Sequence, residues 1–434
     1  MDRTPIIATD DLRRVAIDLT PVLPGGENGG AKVMTLELIR HLAQTASNWQ
    51  FILLTSSRNH EEIASLDAPN VTRVRVDVTG PMLAPSRNLV IRLRGALARV
   101  APQAFVERLG LLYHKIVKRT AVEPSLLRRL KADLLFCPFT ALAFHDSSIP
   151  AVSVVYDLQH RYYPEFFDAV DRRQRERGFQ DACREAKCVV CISEFVRRAI
   201  LENAEIVPAR IVVIPILMPN RLARPTAAKI RETLCSLGLA EDGFLLYPAN
   251  FWRHKNHERL LEAFRLYLAG NPDSRRKLVL TGAPGPGRDF ILQACSSDPL
   301  LSNRVLCPGY LPNEQFATLL YGCWALVFPS LFEGFGMPLL EAMAAAKPML
   351  LSNRTSLPEI GGEAALYFDP DQPAEIAAVI SRLDNTPDLH AELAAKAANR
   401  LGAFGDAEEM ALRYLAVLGD PTGSARLGGA AQVE

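Results

Sequence analysis

Residues 326–341 read LVFPSLFEGFGMPLLE, and this stretch decides the fold. It opens on an apolar run at 326–330 that is typical of a buried strand. Pro338 suits the start of a helix, where a backbone N–H has no partner anyway. The loop between them holds Gly334 and Gly336. A strand, a glycine loop and a helix in this order predict one unit of a parallel α/β sheet, with a ligand site where the strand ends.

The same alternation extends along the chain in both directions. Residues 15–18 form an apolar run, the loop GGENGG follows at 25–30, and apolar residues recur at helical spacing over 31–42. Further strand candidates lie at 51–54, 71–78, 134–137, 152–156, 188–192, 211–214, 244–247, 277–281, 305–307, 325–328 and 348–352. This pattern predicts an α/β protein with parallel sheets.

The length of the chain predicts its domain organisation. A chain of 434 residues exceeds what one hydrophobic core normally serves, so we expect two domains. Three prolines within 215–225 mark the linker, because proline ends regular elements. The predicted units are a domain at 1–218 with a basic helical insertion at 85–131, and a domain at 225–420 whose last helix packs back on the first. We expect residues 421–434, which are small and polar, to be disordered.

The overall composition is that of an ordinary globular protein. The 49 basic and 48 acidic residues nearly balance, which argues against a nucleic-acid binder. No apolar run is long enough to span a bilayer, and the first residues lack a signal-peptide core, so we expect a cytoplasmic protein. The eight cysteines suit reduced core thiols, and Cys188 and Cys191 lack the second Cys or His pair that a zinc site needs.

The glycine loop at 331–336 predicts a phosphate site. Free backbone N–H groups and the positive dipole end of the next helix favour an anion there, and the glycines let a ligand approach closely. Glu333 precedes the helix, and Glu341 falls within its first turn on the same side by the helical period. Since a carboxylate repels phosphate, we assign both to sugar and ribose hydroxyls. The alternative is that Glu341 merely favours the helix start and Glu333 is solvated.

A second loop, YPANFWRHKNH at 247–257, follows the strand candidate at 244–247 and contains Arg253 and Lys255. Both cations are placed to reach a diphosphate bound at the neighbouring loop. The alternative is a solvated basic loop. Aromatic residues and three imidazole or amide groups flank the two cations, which favours a functional site.

The combination of these motifs resembles a known family. Residues 328–341 resemble the signature of family 4 retaining glycosyltransferases with the GT-B fold, in which seven residues separate two glutamates. The whole of 247–370 is similar to the donor domain of that family. The runs HKNH at 254–257 and SLPEIGGEAA at 356–365 are similar to stretches of its bacterial mannosyltransferase-like members.

The resemblance implies a GT-B architecture, two Rossmann-like domains facing across a cleft, and a role for each motif. Lys255, aided by Arg253, would bind the donor pyrophosphate, and many relatives place that arginine several residues earlier, where this chain has Ala249 and Asn250. Glu341 would bind the ribose, and Glu333 would contact the donor sugar as a catalytic residue. The predicted donor-binding residues are Arg253, Lys255, Gly334, Phe335, Gly336, Met337, Glu341, Gly29 and Gly30.

The acceptor side of the predicted cleft is marked by YDLQHRYYPEF at 156–166, directly after a strand candidate. The segment resembles one in which the family carries a histidine followed by an aspartate, but Tyr156 occupies the histidine place. We therefore take Asp157 and His160 as the catalytic candidates, with His160 the nearest substitute for the missing imidazole. The alternative is that His160 is structural.

The proposed insertion is strongly basic. It contains eleven cations, at 87, 92, 94, 99, 108, 115, 118, 119, 128, 129 and 131, and only two acids, at 107 and 123. Since apolar residues alternate with these cations at helical spacing, the segment suits peripheral contact with an anionic membrane and a lipid-linked acceptor. The alternative is a solvated helical insertion.

The resemblance implies a retaining hexosyltransferase. Since the proposed donor loop lacks an Asp-x-Asp metal motif, we expect the transfer to be metal-independent. The resemblance favours mannose, GDP-mannose as donor, a glycan or lipid-linked glycan as acceptor, and surface polysaccharide synthesis. We expect no cofactor and no nucleic-acid partner. The alternatives are a GT-B-type epimerase or phosphorylase and an inactive sugar-nucleotide-binding scaffold.

Overall fold

The fold is described from a computed structural model, which covers residues 12–25, 28–76, 125–217 and 221–422. Of the basic insertion predicted at 85–131, residues 85–124 lie outside the described residues. The predicted disordered tail lies outside them from 423 onward, and three residues of the predicted linker, 218–220, also lie outside them.

Thirteen strands are present in the described part of the chain. They are β1 Arg14–Asp18, β2 Gln50–Thr55, β3 Val71–Arg75, β4 Leu134–Cys137, β5 Ala151–Val155, β6 Cys188–Cys191, β7 Ile211–Val213, β8 Phe244–Pro248, β9 Lys277–Thr281, β10 Val305–Gly309, β11 Ala325–Phe328, β12 Met349–Ser352 and β13 Ala365–Phe368. Every strand candidate of the sequence is confirmed, and β13 is the strand that the sequence did not predict.

Fourteen α-helices connect or flank these strands in the same ranges. They are α1 Gly29–Thr45, α2 Leu126–Arg129, α3 Gln159–Tyr162, α4 Ala169–Glu185, α5 Glu194–Asn203, α6 Ala227–Ser236, α7 His257–Gly270, α8 Arg288–Ser297, α9 Asn313–Gly322, α10 Met337–Ala344, α11 Leu357–Gly361, α12 Pro373–Asp384, α13 Pro387–Leu401 and α14 Ala407–Gly419. Short 3-10 helices lie at Glu62–Leu66, Pro164–Phe166, Pro208–Arg210, Arg253–Lys255 and Gly362–Ala364.

The strands form two separate parallel sheets, as the sequence predicts. The first has the order β3-β2-β1-β4-β5-β6-β7, and the second the order β10-β9-β8-β11-β12-β13. The order reverses beside β1 in the first sheet and beside β8 in the second. In open α/β sheets, ligands bind outside the carboxyl ends of the strands at such reversals. The loops after β1, β8 and β11 are therefore the expected site loops.

The sheets are stabilised by short apolar strands that are covered on both faces. All four residues of β4, of β6 and of β11 are buried. Continuous apolar runs of this kind are typical of parallel strands that have helices on both sides. The two cysteines of β6 are part of this core, and all eight cysteines are unpaired thiols.

The two domains touch where the loop after β11 meets the loop after β5. A Cβ atom at Gly334 would collide with the backbone carbonyl oxygen of Tyr156, so only glycine permits this approach. Ser193 donates a hydrogen bond from Oγ to the carbonyl oxygen of Gly334 at 2.7 Å. Glu359 accepts hydrogen bonds from the first two backbone N–H groups of α5 at 2.8 and 2.9 Å, where a helix dipole favours a carboxylate.

The last helix, α14, lies against the first domain. Arg13 donates a hydrogen bond from Nη1 to the carbonyl oxygen of Leu418 at 2.9 Å. The ring of Tyr414 packs edge-on against Phe136 of β4, with centroids 5.8 Å apart. The chain thus crosses between the sheets a second time, and the two crossings hold both domains around one cleft.

Candidate active site in the interdomain cleft

A cavity of about 760 Å³ opens between the domains at the carboxyl ends of both sheets. This volume falls in the range of small-molecule sites. Ten of the twelve site residues predicted from the sequence line it: Gly29, Gly30, Asp157, Lys255, Glu333, Gly334, Phe335, Gly336, Met337 and Glu341. His160 and Arg253 are not among its lining residues.

The entrance of α10 forms one wall of this cavity. Gly336 has φ +96°, a left-handed conformation that side-chain-bearing residues rarely adopt, and Pro338 occupies the first turn. The first N–H groups of a helix have no intrahelical acceptor, so they are available to an anion. Gly30 faces this entrance from the first domain, since a Cβ there would lie 3.0 Å from the Met337 sulfur. The two glycine loops therefore meet across the cleft.

Lys255 lies in the same cavity and pairs with Glu333. Its ammonium Nζ is 2.5 Å from Oε1 of Glu333, and both side chains are mostly shielded from solvent. The loop that carries Lys255 is fixed from behind by Asn256, which has φ +61° and donates hydrogen bonds to the carbonyl oxygens of Pro329 and Pro370. Tyr247 donates a hydrogen bond to the carbonyl oxygen of Lys255 at 2.6 Å. The cation is thus held beside the helix entrance before any ligand binds.

Glu341 forms a second buried ion pair, with Arg221. The guanidinium Nε and Nη2 lie 2.8 and 2.5 Å from Oε1 of Glu341, whose side chain is 4% exposed. Burial raises the pKa of Glu341, and the charge of Arg221 opposes this shift. Glu341 is the fifth residue of α10, so the prediction that it lies in the first turn is wrong by one residue. The predicted side of the helix is correct, because Glu341 lines the cavity.

Arg221 lines the cleft and was missed from the sequence. It lies within the predicted linker, where the only other cation is Arg224 and no motif surrounds it. Its contact with Glu341 joins residues 120 positions apart, and it also donates to the amide oxygen of Asn313 at 3.0 Å. Such a contact depends on the docking of the linker against the second domain, which no local pattern shows.

The acceptor wall is formed by the loop after β5. The Tyr156 hydroxyl lies 3.1 Å from Oγ1 of Thr35 in α1, and burial raises the pKa of this phenol. Asp157 accepts a hydrogen bond from the backbone N–H of Gln159 at 2.9 Å. The Nε2 amide of Gln159 is buried and has no partner among the described residues, although Gln159 lines the cavity. A buried donor without a partner is available to a ligand.

His160 lies outside the cleft and lines a second cavity beside α4. Its Nε2 is 3.2 Å from a carboxylate oxygen of Glu176, and the ring is 5% exposed. Burial lowers the pKa of His160, although the hydrogen bond with Glu176 acts in the opposite direction. The catalytic role predicted for His160 stays a prediction that this position does not favour.

Arg253 is exposed and points away from the cavity. Its guanidinium lies over the ring of Phe166, 5.8 Å from the ring centroid. His254, the next residue, lines the cleft, and burial together with the charge of Lys255 lowers its pKa to about 2. A neutral imidazole cannot replace Arg253 as a cation. The donor contact predicted for Arg253 stays a prediction, and Lys255 is the cation of this loop that lines the cavity.

Within 12–25, 28–76, 125–217 and 221–422, no group of three or more His, Cys, Asp or Glu side chains is arranged to hold a metal ion. None of the helices in these ranges combines the length and the apolar character needed to cross a bilayer.

Two parallel sheets that face a common cleft with a shared ligand cavity define a protein of the GT-B architecture. Two family models match the sequence, Glycosyltransferase Family 4 at residues 28–216 and Glycosyl transferases group 1 at residues 236–400. Together they cover most of the chain, one model in each domain. The chain belongs to the group 1 and family 4 glycosyltransferases.

Curated relatives and solved structures agree with this assignment. O-antigen chain mannosyltransferase B of Escherichia coli is 30% identical over 230 residues, which are 53% of this chain and 60% of that protein. Serotype-specific mannosyltransferase WbdA of E. coli is 29% identical over 50% of this chain and 27% of its own length. The crystal structure of Anabaena Alr3699/HepE in complex with UDP and glucose has a TM-score of 0.68 at 17% identity, covering 94% of this chain and 99% of that chain. The matches thus span less than two thirds of the two curated relatives.

Proposed function

We propose that this protein is a retaining, metal-independent hexosyltransferase that moves a sugar, mannose in the favoured case, from a nucleotide diphosphate to a glycan or lipid-linked glycan acceptor. The observation that carries the proposal is the position of Lys255 and the α10 entrance in one cavity. A diphosphate is the ligand group that an ammonium and a row of free backbone N–H groups bind together. A proposed role in surface polysaccharide synthesis follows from the names of the relatives.

In the proposed reaction, the acceptor hydroxyl attacks the anomeric carbon on the face from which the diphosphate leaves. The bond between the anomeric carbon and the phosphate oxygen breaks, and the diphosphate takes the electron pair. Lys255 and the N–H groups at the start of α10 stabilise the growing negative charge. Because these donors are fixed before binding, little reorganisation is needed when the charge develops.

The carboxylates of the cleft have separate proposed roles. Glu333 lies next to Lys255 and accepts hydrogen bonds from the sugar hydroxyls. Glu341, one helical turn beyond Met337, binds the ribose with Arg221 at its side. Asp157, on the facing domain, is the group that takes the proton of the acceptor hydroxyl. The buried amide of Gln159 provides one further hydrogen-bond donor on the acceptor wall.

The choice of sugar and base rests on the relatives. Two of the curated relatives that match this chain are named O-antigen and serotype-specific mannosyltransferases, which supports mannose and a GDP donor, while others are named D-inositol 3-phosphate glycosyltransferases. The Anabaena structure contains UDP and glucose, so a UDP-sugar is the donor to compare. We further propose that the protein works on the cytoplasmic side of the membrane, in peripheral contact with anionic lipid through the basic insertion.

Donor binding and turnover test the proposal together. The full chain is screened for a shift of its melting temperature with GDP-mannose, UDP-glucose and ADP-glucose. It is then assayed for sugar transfer and for donor hydrolysis, with and without added chelator. We expect one donor to raise the melting temperature and to be consumed at the same rate with chelator present. Binding without any turnover on a panel of acceptors would support the inactive scaffold, and absence of binding to all three donors would contradict the site itself.

A further inference from the structure

The second cavity, of about 900 Å³, lies wholly within the first domain. It is bounded by α3 and α4, with Pro164 of the 3-10 helix between them and Asn203 at the end of α5 as its remaining lining residues. One turn of helix separates it from the cleft: Gln159 of α3 lines the cleft, and the next two residues, His160 and Arg161, line the second cavity. The α4 cavity, as we call it, is therefore adjacent to the acceptor wall.

The lining of the α4 cavity is strongly cationic. Its charged members are four arginines and one glutamate: Arg161, Arg172, Arg173, Arg177 and Glu176. Amide side chains contribute further hydrogen-bond donors at the rim. A cavity with this balance of charge attracts anions, because low-dielectric walls concentrate the field of the cations.

The single carboxylate of the α4 cavity is already fully engaged. Glu176 accepts a hydrogen bond from Nε of Arg161 at 2.8 Å and another from Nε2 of Gln180 at 3.0 Å. His160 contacts it as well, at 3.2 Å. This network neutralises Glu176 with Arg161 and holds α3 against α4. The other arginines that line the cavity therefore have no carboxylate partner inside it.

The arginines of α4 fall into two groups. Arg175 pairs with Asp171 at 3.0 Å and lies over the ring of Phe167, and it does not line the cavity. Arg184, near the end of the helix, pairs with Asp181 and Glu185. By contrast, Arg172, Arg173 and Arg177 line the cavity and have no ion pair with any residue that the structure describes, although the charge of Arg173 also acts on the carboxylate of Asp168. Unpaired guanidinium groups that face one cavity are a binding geometry for phosphoryl oxygens, which accept bidentate hydrogen bonds from arginine.

We infer that the α4 cavity is a second anion site, distinct from the donor site, and that it binds a phosphoryl group through Arg172 and Arg177. The acceptor is the natural carrier of that group, because the cavity adjoins the acceptor wall; this part of the inference rests on the proposed function. A phosphoryl group bound here would hold the acceptor by its charged end while its sugar reaches over α3 towards Asp157.

Binding of inorganic pyrophosphate to the full chain, measured by titration calorimetry, tests the site. We expect two binding sites per chain, one in the cleft and one in the α4 cavity. Lys255→Ala weakens only the first. The double variant Arg172→Gln/Arg177→Gln weakens only the second, by at least about tenfold, because it removes two charge-assisted contacts. Arg175→Gln on the same helix is the matched control and keeps both sites.

The same experiment separates this inference from the proposed function. If the cleft does not bind pyrophosphate, one site remains that responds to Arg172→Gln/Arg177→Gln and not to Lys255→Ala. If the double arginine variant binds pyrophosphate like the unmodified chain, or if Arg175→Gln loses as much affinity, the α4 cavity is not a site. All three variants replace exposed or cleft side chains, and circular dichroism confirms that each is folded.

Two sources of the phosphoryl group are then distinguished with phosphatidylcholine vesicles that contain or lack phosphatidic acid. Binding that requires phosphatidic acid and falls in Arg172→Gln/Arg177→Gln, but not in Arg175→Gln, identifies a lipid phosphate. Binding of pyrophosphate without vesicle binding identifies a soluble phosphorylated ligand. Either result supports the site, and vesicle binding that is equal in all variants, together with unchanged pyrophosphate binding, would overturn it.

Discussion

The two walls of the cleft differ in how their charges are arranged. On the second domain, Lys255 and Glu341 each meet an opposite charge, from Glu333 and Arg221, in pairs that are shielded from solvent. On the first domain, the loop after β5 holds Tyr156, Asp157 and Gln159, which form no ion pair with any described residue. The ion pairs of the first domain that line the cavity, Lys32 with Glu62 and Arg40 with Glu37, lie on α1 and on the 3-10 helix at Glu62–Leu66. The loops of the second domain are therefore a charged frame, and the loop after β5 is a surface of hydrogen-bonding groups.

This difference follows from what each wall has to bind under the proposed function. A nucleotide diphosphate presents the same phosphates and ribose whatever sugar it carries, so a fixed charged frame suits it. Acceptors vary, and a few hydroxyl contacts decide among them. We therefore expect a single substitution to have its largest effect when it falls on the donor wall.

The largest effect is expected for Lys255→Ala. The variant loses the cation that stabilises the leaving diphosphate, and it leaves Glu333 shielded and unpaired beside the same phosphates. Loss of one preorganised donor of this kind lowers kcat by about 10²–10³-fold. The measurement is steady-state transfer or donor hydrolysis with GDP-mannose, or with whichever donor raises the melting temperature most.

Arg253→Ala is the matched control for this variant. It removes a cation two residues away whose guanidinium lies over Phe166 outside the cavity. We expect kcat to change by less than about tenfold, since no donor contact is lost. Equal losses of kcat in both variants would show that the total charge of the loop matters and not the position of each cation. Unchanged turnover in Lys255→Ala would remove Lys255 from the mechanism.

An effect of similar size in free energy, measured here on stability, is expected for Arg221→Gln. The substitution leaves the carboxylate of Glu341 buried without its partner, and breaking such a pair costs about 3–5 kcal/mol of unfolding free energy. Thermal or urea unfolding of the two proteins measures the loss. Arg224→Gln, a nearby arginine that lies over the ring of Tyr321, is the control, with a loss below about 1 kcal/mol.

The loss in Arg221→Gln depends on pH in a defined direction. Burial raises the pKa of Glu341 above its unfolded value, so this group favours folding at low pH and loses that contribution as pH rises through the folded pKa. Removing Arg221 raises the folded pKa further. The stability deficit of the variant is therefore small below about pH 4, where the unfolded group is protonated, and grows as pH rises. A deficit that is constant with pH would show that Glu341 is not the group involved.

The residues of the second domain that line the cavity were predicted from the sequence because they are local. A strand, a glycine loop and a helix start occupy consecutive positions, so the loop with Gly334 and Gly336 follows from 326–341 alone. Lys255 was found because its loop follows β8, which lies beside β11 in the sheet. Arg221 was not found, because its partner is 120 residues away and the linker carries no pattern.

The acceptor wall was harder to predict. On helix α3, one turn of four residues decides which side chain faces the cleft, and the sequence indicates only that polar residues follow β5. Gln159 faces the cleft and His160 does not. Strand β13 is an apolar run of four residues at the edge of the sheet, as long as β4, β6 and β11, so its length does not explain why the sequence did not predict it.

The smallest effect is expected for His160→Gln, and it decides between the two catalytic candidates of the first domain. A general base contributes about 10²–10⁴-fold to the rate. Since His160 contacts Glu176 in the α4 cavity, and glutamine keeps a neutral hydrogen-bonding side chain there, we expect kcat to fall by less than about tenfold. Asp157→Asn, three residues earlier in the cleft, is the matched variant and should lose about 10²-fold or more. If the order of the two losses is reversed, α3 must turn His160 into the cleft during the reaction, and the acceptor wall is mobile where the donor wall is fixed.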